Sequence, residues 1–228
     1  MKKLAIVGTA ESTIQMAPYN NEEYEIWALN GVYNMVDFEN IGNITRWFDL
    51  HSLEVIKAEP RGYFEWYKTC KIPVYTIEVN EEMPSSVKYP LDEILKRFPR
   101  RYFTNKVSYM IALAIYEGYT NISIFGVDMQ RGAEYSDQRP SCEYFIGYAE
   151  GLGINVYIPP QSDILYCPYL YGFEEEKINV IQAKINARII ELSKRKASYE
   201  QQADTATAAV HHLDGCIKDA QYMLGVWL

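Results

Sequence analysis

Histidine is scarce, with three residues in 228, and the four cysteines (Cys70, Cys142, Cys167 and Cys216) are widely spaced, with no CxxC or Cys/His ligand spacing. That spacing argues against zinc and thioredoxin-like chemistry, so no metal site is expected and the thiols read as reduced. No apolar run approaches the roughly 20 residues that cross a bilayer. The opening MKKLAIVGTAEST turns polar after an apolar run too short for a signal segment, so a cytoplasmic location is expected. Walker A, GxGxxG and Asp-x-Asp patterns are missing, and no Ser/His/Asp or Cys/His nucleophilic set can be assembled with any specificity. Positive charge is also in deficit, with 22 Lys and Arg against 30 Asp and Glu. Duplex nucleic acid is held by clustered cations, so no such partner is expected. Residues 174–228 hold eight acids and seven bases, which excludes a basic nucleic-acid arm.

What is present is an ordinary globular composition, 48% hydrophobic and 23% charged, long enough for one substantial domain plus an appendage. Tyrosine is abundant, with 20 residues, which suits polar clefts or interaction surfaces as well as half-buried core positions.

KLAIV at 3–7, ending at Gly8, reads as a buried parallel strand followed by a tight turn. YEIWALN at 24–30 and ITRWFDLH at 44–51 read as strands ending in polar residues, Asn30 and His51. A helix over 53–68, broken near Pro60 and Gly62, precedes a strand at 72–79. Pro84 and Pro90 exclude regular helix from the next loop, and LDEILKRF then reads as a short amphipathic helix. Residues 104–117 predict an apolar helix with Thr104 as N-cap and Gly118 as its stop. NISIFGVDM at 121–129 is the clearest strand, placing Asp128 at its end, followed by a helix at 141–151 and a last strand in GINVYIPP. This alternation predicts an α/β domain over 1–173, a Rossmann-like, mostly parallel sheet of five or six strands flanked by helices.

From 174 onward proline is absent and Ile178, Ile181, Ile185, Ile189 and Leu192 recur at helical spacing. A second stripe runs through Ala206, Val210, Leu213, Ile217 and Ala220. Residues 174–228 are therefore read as a helical tail for packing or oligomerisation, as two helices in a hairpin or, alternatively, one long helix. The expected partner is a second copy.

In open α/β sheets ligands collect outside the carboxyl ends of the strands, which selects the candidate residues. GTAEST at 8–13, with Gly8, Thr9 and Ala10, offers backbone amides to a phosphate, and equally reads as a structural turn. Thr104, Asn105 and Lys106 at a helix start suit an anion, or a cap followed by solvated residues. Asp128, with Arg131 and Tyr135 in the following loop, suits a sugar hydroxyl or a simple turn cap. His51 lies outside the tail that holds His211 and His212, and is the candidate general acid or base.

LAIVGTAEST, the ALNGVY segment and the run FTNKVSYMIALAIYEGYTNISIFGVDM together resemble the bacterial sialyltransferases of the Campylobacter type, and the related Rossmann-like proteins that include 6-hydroxymethylpterin pyrophosphokinases. The long run is similar to that family's Thr-Ser-Gly before an apolar helix, then Gly-Tyr, a strand and Gly-Ile-Asp. The resemblance covers residues 3–160. It implies Thr9 and Ala10 in a nucleotide loop, Asn30 near donor phosphates, Thr104 and Asn105 at the donor, and Tyr135 beside the leaving phosphate; Gly31, next to Asn30, is a further nucleotide-binding candidate. Departures are Ala10 and Glu11 in place of Gly and Pro, and Asn105 and Lys106 in place of Ser-Gly. Residues 129–165 contain no histidine where the family carries its catalytic one.

The expected function is a nucleotide-binding, glycosyltransferase-like protein whose ligand is a nucleotide or nucleotide sugar, with His51 and Tyr135 as catalytic candidates. The alternatives are non-catalytic capture of a nucleotide or signalling molecule, a scaffold acting through the tail, and a pyrophosphokinase using Asp128 and Asp49 for Mg²⁺.

Overall fold

The computed structural model describes residues 3–36, 44–59, 62–129, 135–171, 173–174 and 178–227, with side chains left out at 63, 135, 178–183 and 227. Arg131 lies outside the described residues, as does the side chain of Tyr135. The chain divides into two units, Met1–Tyr166 and Cys167–Leu228.

Within the first unit, strands β1 (Lys3–Val7), β2 (Tyr24–Leu29), β3 (Ile44–Phe48), β4 (Val74–Thr76), β5 (Ser86–Lys88), β6 (Asn121–Phe125) and β7 (Asn155–Tyr157) form one sheet. Its order is β5-β4-β3-β2-β1-β6-β7, and every pair is parallel. The chain first builds outward from β1 to β5 and then crosses to the other side of β1. The topological switch point therefore lies between β1 and β6.

Alternating side chains divide the core between the two faces of the sheet. Leu4, Ile6, Trp27 and Ile124 pack with α3 (Leu91–Arg97), α4 (Lys106–Tyr116) and α5 (Tyr135–Gly151). Ala5, Val7, Ile26 and Trp47 face the other way, with Ile56 of α1 (Leu53–Ala58) and Tyr67 of α2 (Tyr63–Thr69). On the α4 face, Arg46 is 2.6 Å from Glu117 and stacks 4.5 Å from the Trp27 ring centroid. That charge is paired at the margin of the core, with both side chains partly exposed.

Several expectations need correction. The sheet has seven strands rather than five or six, because SVK at 86–88 pairs with β4 inside the loop read as proline-disrupted. Pro84 and Pro90 lie just outside that short strand, so neither removes a ladder donor. Strand β6 stops at Phe125, which leaves Asp128 in the following loop. Helix α4 begins at Lys106, and Asn105, not Thr104, is its cap, accepting from the Ser108 amide at 2.8 Å. Helix α5 begins at Tyr135 rather than at 141 and contains Pro140. In the second unit, α6 (Ile178–Trp227) is one helix of 50 residues, the single-helix alternative rather than the hairpin. The polar SYEQQADT segment contains neither Gly nor Pro, so the backbone continues through it.

Gly8 and Gly126 meet backbone to backbone at the switch point. A Cβ built on Gly8 would stand 2.4 Å from the Gly126 carbonyl oxygen, which cannot swing away as a side chain would. Gly126 itself has φ +63, which glycine adopts without strain. Gly8→Ala is expected to lower the unfolding free energy by about 3 kcal/mol, measured by urea denaturation. A loss below about 0.5 kcal/mol would show that the two strand ends can separate freely.

Candidate functional site

The register aligns the carboxyl ends of four strands. Val7 pairs with Ala28 and with Phe125, and Leu29 pairs with Phe48, so Gly126, Gly8, Asn30 and Asp49 follow along one edge of the sheet. Lys106, the first residue of α4, reaches this edge from one face, while Tyr67 of α2 reaches it from the other.

Asp49 is the centre of the resulting cluster, with 1% of its surface exposed. The Tyr67 hydroxyl donates to its Oδ2 at 2.9 Å. Its Oδ1 lies 2.9 Å from His51 Nδ1 and 3.4 Å from Lys106 Nζ. Neither approach has hydrogen-bond alignment, so Oδ1 is a buried carboxylate oxygen without a directed partner. Such atoms are uncommon in folded proteins, and apo catalytic sites often hold loosely aligned pairs that tighten around substrate. Burial works to raise the Asp49 carboxyl, but His51, Lys106 and Tyr67 together hold it below its ordinary value.

Lys106 Nζ also donates to Asn30 Oδ1 and stands 3.0 Å from each ring nitrogen of His51. A point equidistant from both nitrogens lies off both lone-pair axes, so the ammonium rests against the ring rather than bonding one nitrogen along its axis. Burial depresses the Lys106 ammonium, and Asp49 offsets this only in part. The tautomer that carries its proton on Nδ1 leaves the Nε2 lone pair available, as a general base requires. Asn30 adopts φ 46, an uncommon conformation that aims its side chain at this cluster. Gly31, which follows it, is buried in the same turn.

His51 also borders a half-open cleft of about 360 Å³, lined further by Glu54, Thr76, Glu78, Asn80 and Met83. That volume falls in the range of small-molecule sites.

The remaining candidates lie in three settings. Gly8 and Ala10 spend their amides on Phe125 and Gly126 carbonyls, each at 2.8 Å, whereas the amides of Thr9, Glu11 and Ser12 donate to no described group. Thr104 and Asn105 brace α4 against α5: Thr104 Oγ1 is 2.7 Å from Ser141 Oγ, and Asn105 Nδ2 donates to the Gln138 carbonyl at 2.6 Å. Asp128 accepts from Ser12 at 2.8 Å and thus ties the loop after β1 to the loop after β6. The structure therefore brings Asn30, His51 and Lys106 together and gives Thr104, Asn105 and Asp128 internal partners. Asp49, weighed from sequence only as a metal carboxylate, and Tyr67 complete the cluster. Asp49 had a usable signal, being the first residue past a buried strand; Tyr67 had none among so many tyrosines. Among the described residues no group of three or more His, Cys, Asp or Glu could hold a metal ion, and no helix is long and apolar enough to cross a membrane.

No family model matches the chain, and no curated protein matches it. Solved structures do show a distant likeness of fold. The sialyltransferase CstII from Campylobacter jejuni, in complex with the substrate analogue CMP-3FNeuAc, is 17% identical over 69% of this chain and 80% of its own, with a TM-score of 0.46. The same enzyme with cytidine-5'-monophosphate gives 15% identity over 78% and 96%, with a TM-score of 0.44. An apo α-2,3-sialyltransferase from Campylobacter jejuni gives 16% identity over 83% and 95%, with a TM-score of 0.42.

Proposed function

We propose that the chain is a nucleotide-dependent transferase of glycosyltransferase-like character, acting on a nucleotide-activated sugar at the carboxyl edge of the sheet. The observation that carries this reading is the placement of His51 between a buried carboxylate, an ammonium and an open cleft. The donor nucleotide is assigned to Gly8, Thr9 and Ala10, to Asn30 and Gly31, and to Lys106, whose place at the start of α4 is braced by Thr104 and Asn105, with Asp128 and Arg131 after β6. Amides of Thr9, Glu11 and Ser12 face its phosphate, and Tyr135 stands beside the leaving group.

The acceptor occupies the cleft, where His51 Nε2 takes the proton from its hydroxyl. The acceptor oxygen then bonds to the sugar carbon as the bond from that carbon to phosphate oxygen breaks. The electron pair leaves on phosphate, where Lys106 and the loop amides stabilise it, and the proton passes from His51 to solvent. Glu54 and Glu78 in the cleft favour a neutral or cationic acceptor over an anionic one. A cytoplasmic location and self-association through residues 174–228 belong to the same proposal.

A thermal-shift series with CMP, UDP, GDP, ATP and their sugar conjugates tests the binding step. Ligand at about 100 times its Kd adds about 2.7 kcal/mol, a shift of several degrees. A flat response to every compound counts against the proposal. Bound nucleotide sugar recovered intact after long incubation with candidate acceptors identifies capture without transfer, the reading that the absence of histidine from 129–165 favours.

A further inference from the structure

We infer that α6 is one strand of a parallel, two-stranded coiled coil formed with a second copy of this chain, in a register that places each Leu213 against the Leu213 of the other copy. This rests on the self-association proposed above and is independent of the transferase reading.

A single uninterrupted helix makes a longer repeat legible than two stripes suggested. Counting by sevens from Ile185 gives Leu192, Tyr199, Ala206, Leu213 and Ala220. Four residues after each of these stand Ile189, Lys196, Ala203, Val210, Ile217 and Leu224. The first set occupies the d positions of a heptad and the second the a positions. Lys196 is the charged exception among these positions. Apart from Ile181, which falls at g, the two stripes of the sequence are thus halves of one seam, and its period of 3.5 rather than 3.6 residues is what makes two helices wind around each other. The helix is about 75 Å long at 1.5 Å per residue. Its seam is exposed along that length, with Ile189 54%, Leu213 59%, Ile217 53% and Leu224 67% accessible. A seam this regular fits an identical seam, which is why the occupant is a second copy.

Strand number and direction follow from which residues occupy which positions. Branched Ile189, Val210 and Ile217 at a, with Leu192 and Leu213 at d, favour two parallel strands. Lys196 at a lies near the solvent rim of a two-stranded core, where its ammonium can reach water; a trimer or tetramer would enclose it. In the parallel register, Arg195 at g faces Glu200 at e of the other helix, twice by symmetry, giving complementary charge across the seam. Antiparallel pairing brings g to g and e to e, and loses that match.

Sedimentation equilibrium on the full chain is expected to give twice the monomer mass. Leu213→Asp is expected to raise the dissociation constant at least 100-fold, with the main thermal unfolding transition retained. Direction is read by cross-linking. Leu213→Cys, in a background carrying Cys167→Ser and Cys216→Ser, is oxidised with a glutathione redox pair. A disulfide-linked dimer is expected, whereas Ala208→Cys, at an outward f position, gives monomer in the same background. A monomer at all concentrations overturns both the coiled coil and the self-association. A dimer that fails to cross-link through Leu213→Cys, or a trimer, overturns this register and leaves self-association standing. A dimer unaffected by Leu213→Asp places the interface elsewhere.

Discussion

Asp49→Ala is expected to destabilise the first unit by about 3–5 kcal/mol, because it leaves Lys106 as a buried ammonium and removes the acceptor of the Tyr67 hydroxyl. Lys106→Met is expected to cost a similar amount for the converse reason, since it removes the ammonium beside a carboxylate that is 1% exposed. The two losses should not add. Removing both charges in Asp49→Ala/Lys106→Met eliminates the desolvation that made each single change costly, and the double variant should be at least about 2 kcal/mol more stable than the sum of the two losses implies. Urea unfolding of the four proteins at neutral pH gives the cycle, and additive losses would show that the two groups are not coupled.

The acid limb carries the same signature. A carboxyl held below its ordinary value stabilises the fold above that value, and the contribution is lost as pH falls through the folded-state value, below 3.8. Asp49→Ala should remove that part of the acid transition. Lys106 has the opposite logic at the basic end. Its ammonium is depressed by burial, so charging it penalises the fold at low and neutral pH, and that penalty eases as pH rises through its folded value toward its ordinary one.

His51→Ala is expected to lower kcat for transfer by roughly 10²–10⁴-fold, the range of a lost general base, while shifting nucleotide affinity by less than about 3-fold. The separation follows from the geometry. His51 borders the acceptor cleft and is 45% exposed, whereas the donor phosphate is assigned to Lys106 and the loop after β1. His51→Gln keeps a polar side chain without a titrating ring and should be as slow as the alanine variant. Equal losses in kcat and in nucleotide affinity would instead make His51 part of the donor site. Unchanged turnover would remove it from the chemistry.

Strand ends were the most legible part of the site. Short apolar runs stopped by Gly8, Asn30 and the Asp49–His51 pair are local signals, and one parallel sheet aligns them without further information. Residues whose role depends on distant partners were less legible. Thr104 and Asn105 look like an anion site from their own sequence, yet their polar atoms meet Gln138 and Ser141, more than thirty residues away. The contact that fixes Gly8 is likewise with the backbone of Gly126. In the tail, helical spacing was visible but the choice between two helices and one was not, because 3.5- and 3.6-residue periods diverge only over many turns.

In the proposed transferase, phosphate-bearing ligand and acceptor meet at His51. The chain has three histidines, and His211 and His212 lie on α6, so imidazole NMR resolves the claim with few signals to assign. Titrating ¹⁵N-labelled protein with a nucleotide selected by thermal shift should move the His51 ring nitrogens saturably. His211 and His212 should stay in place. Saturable nucleotide binding that leaves His51 unmoved would place the nucleotide away from His51 and overturn the proposed site.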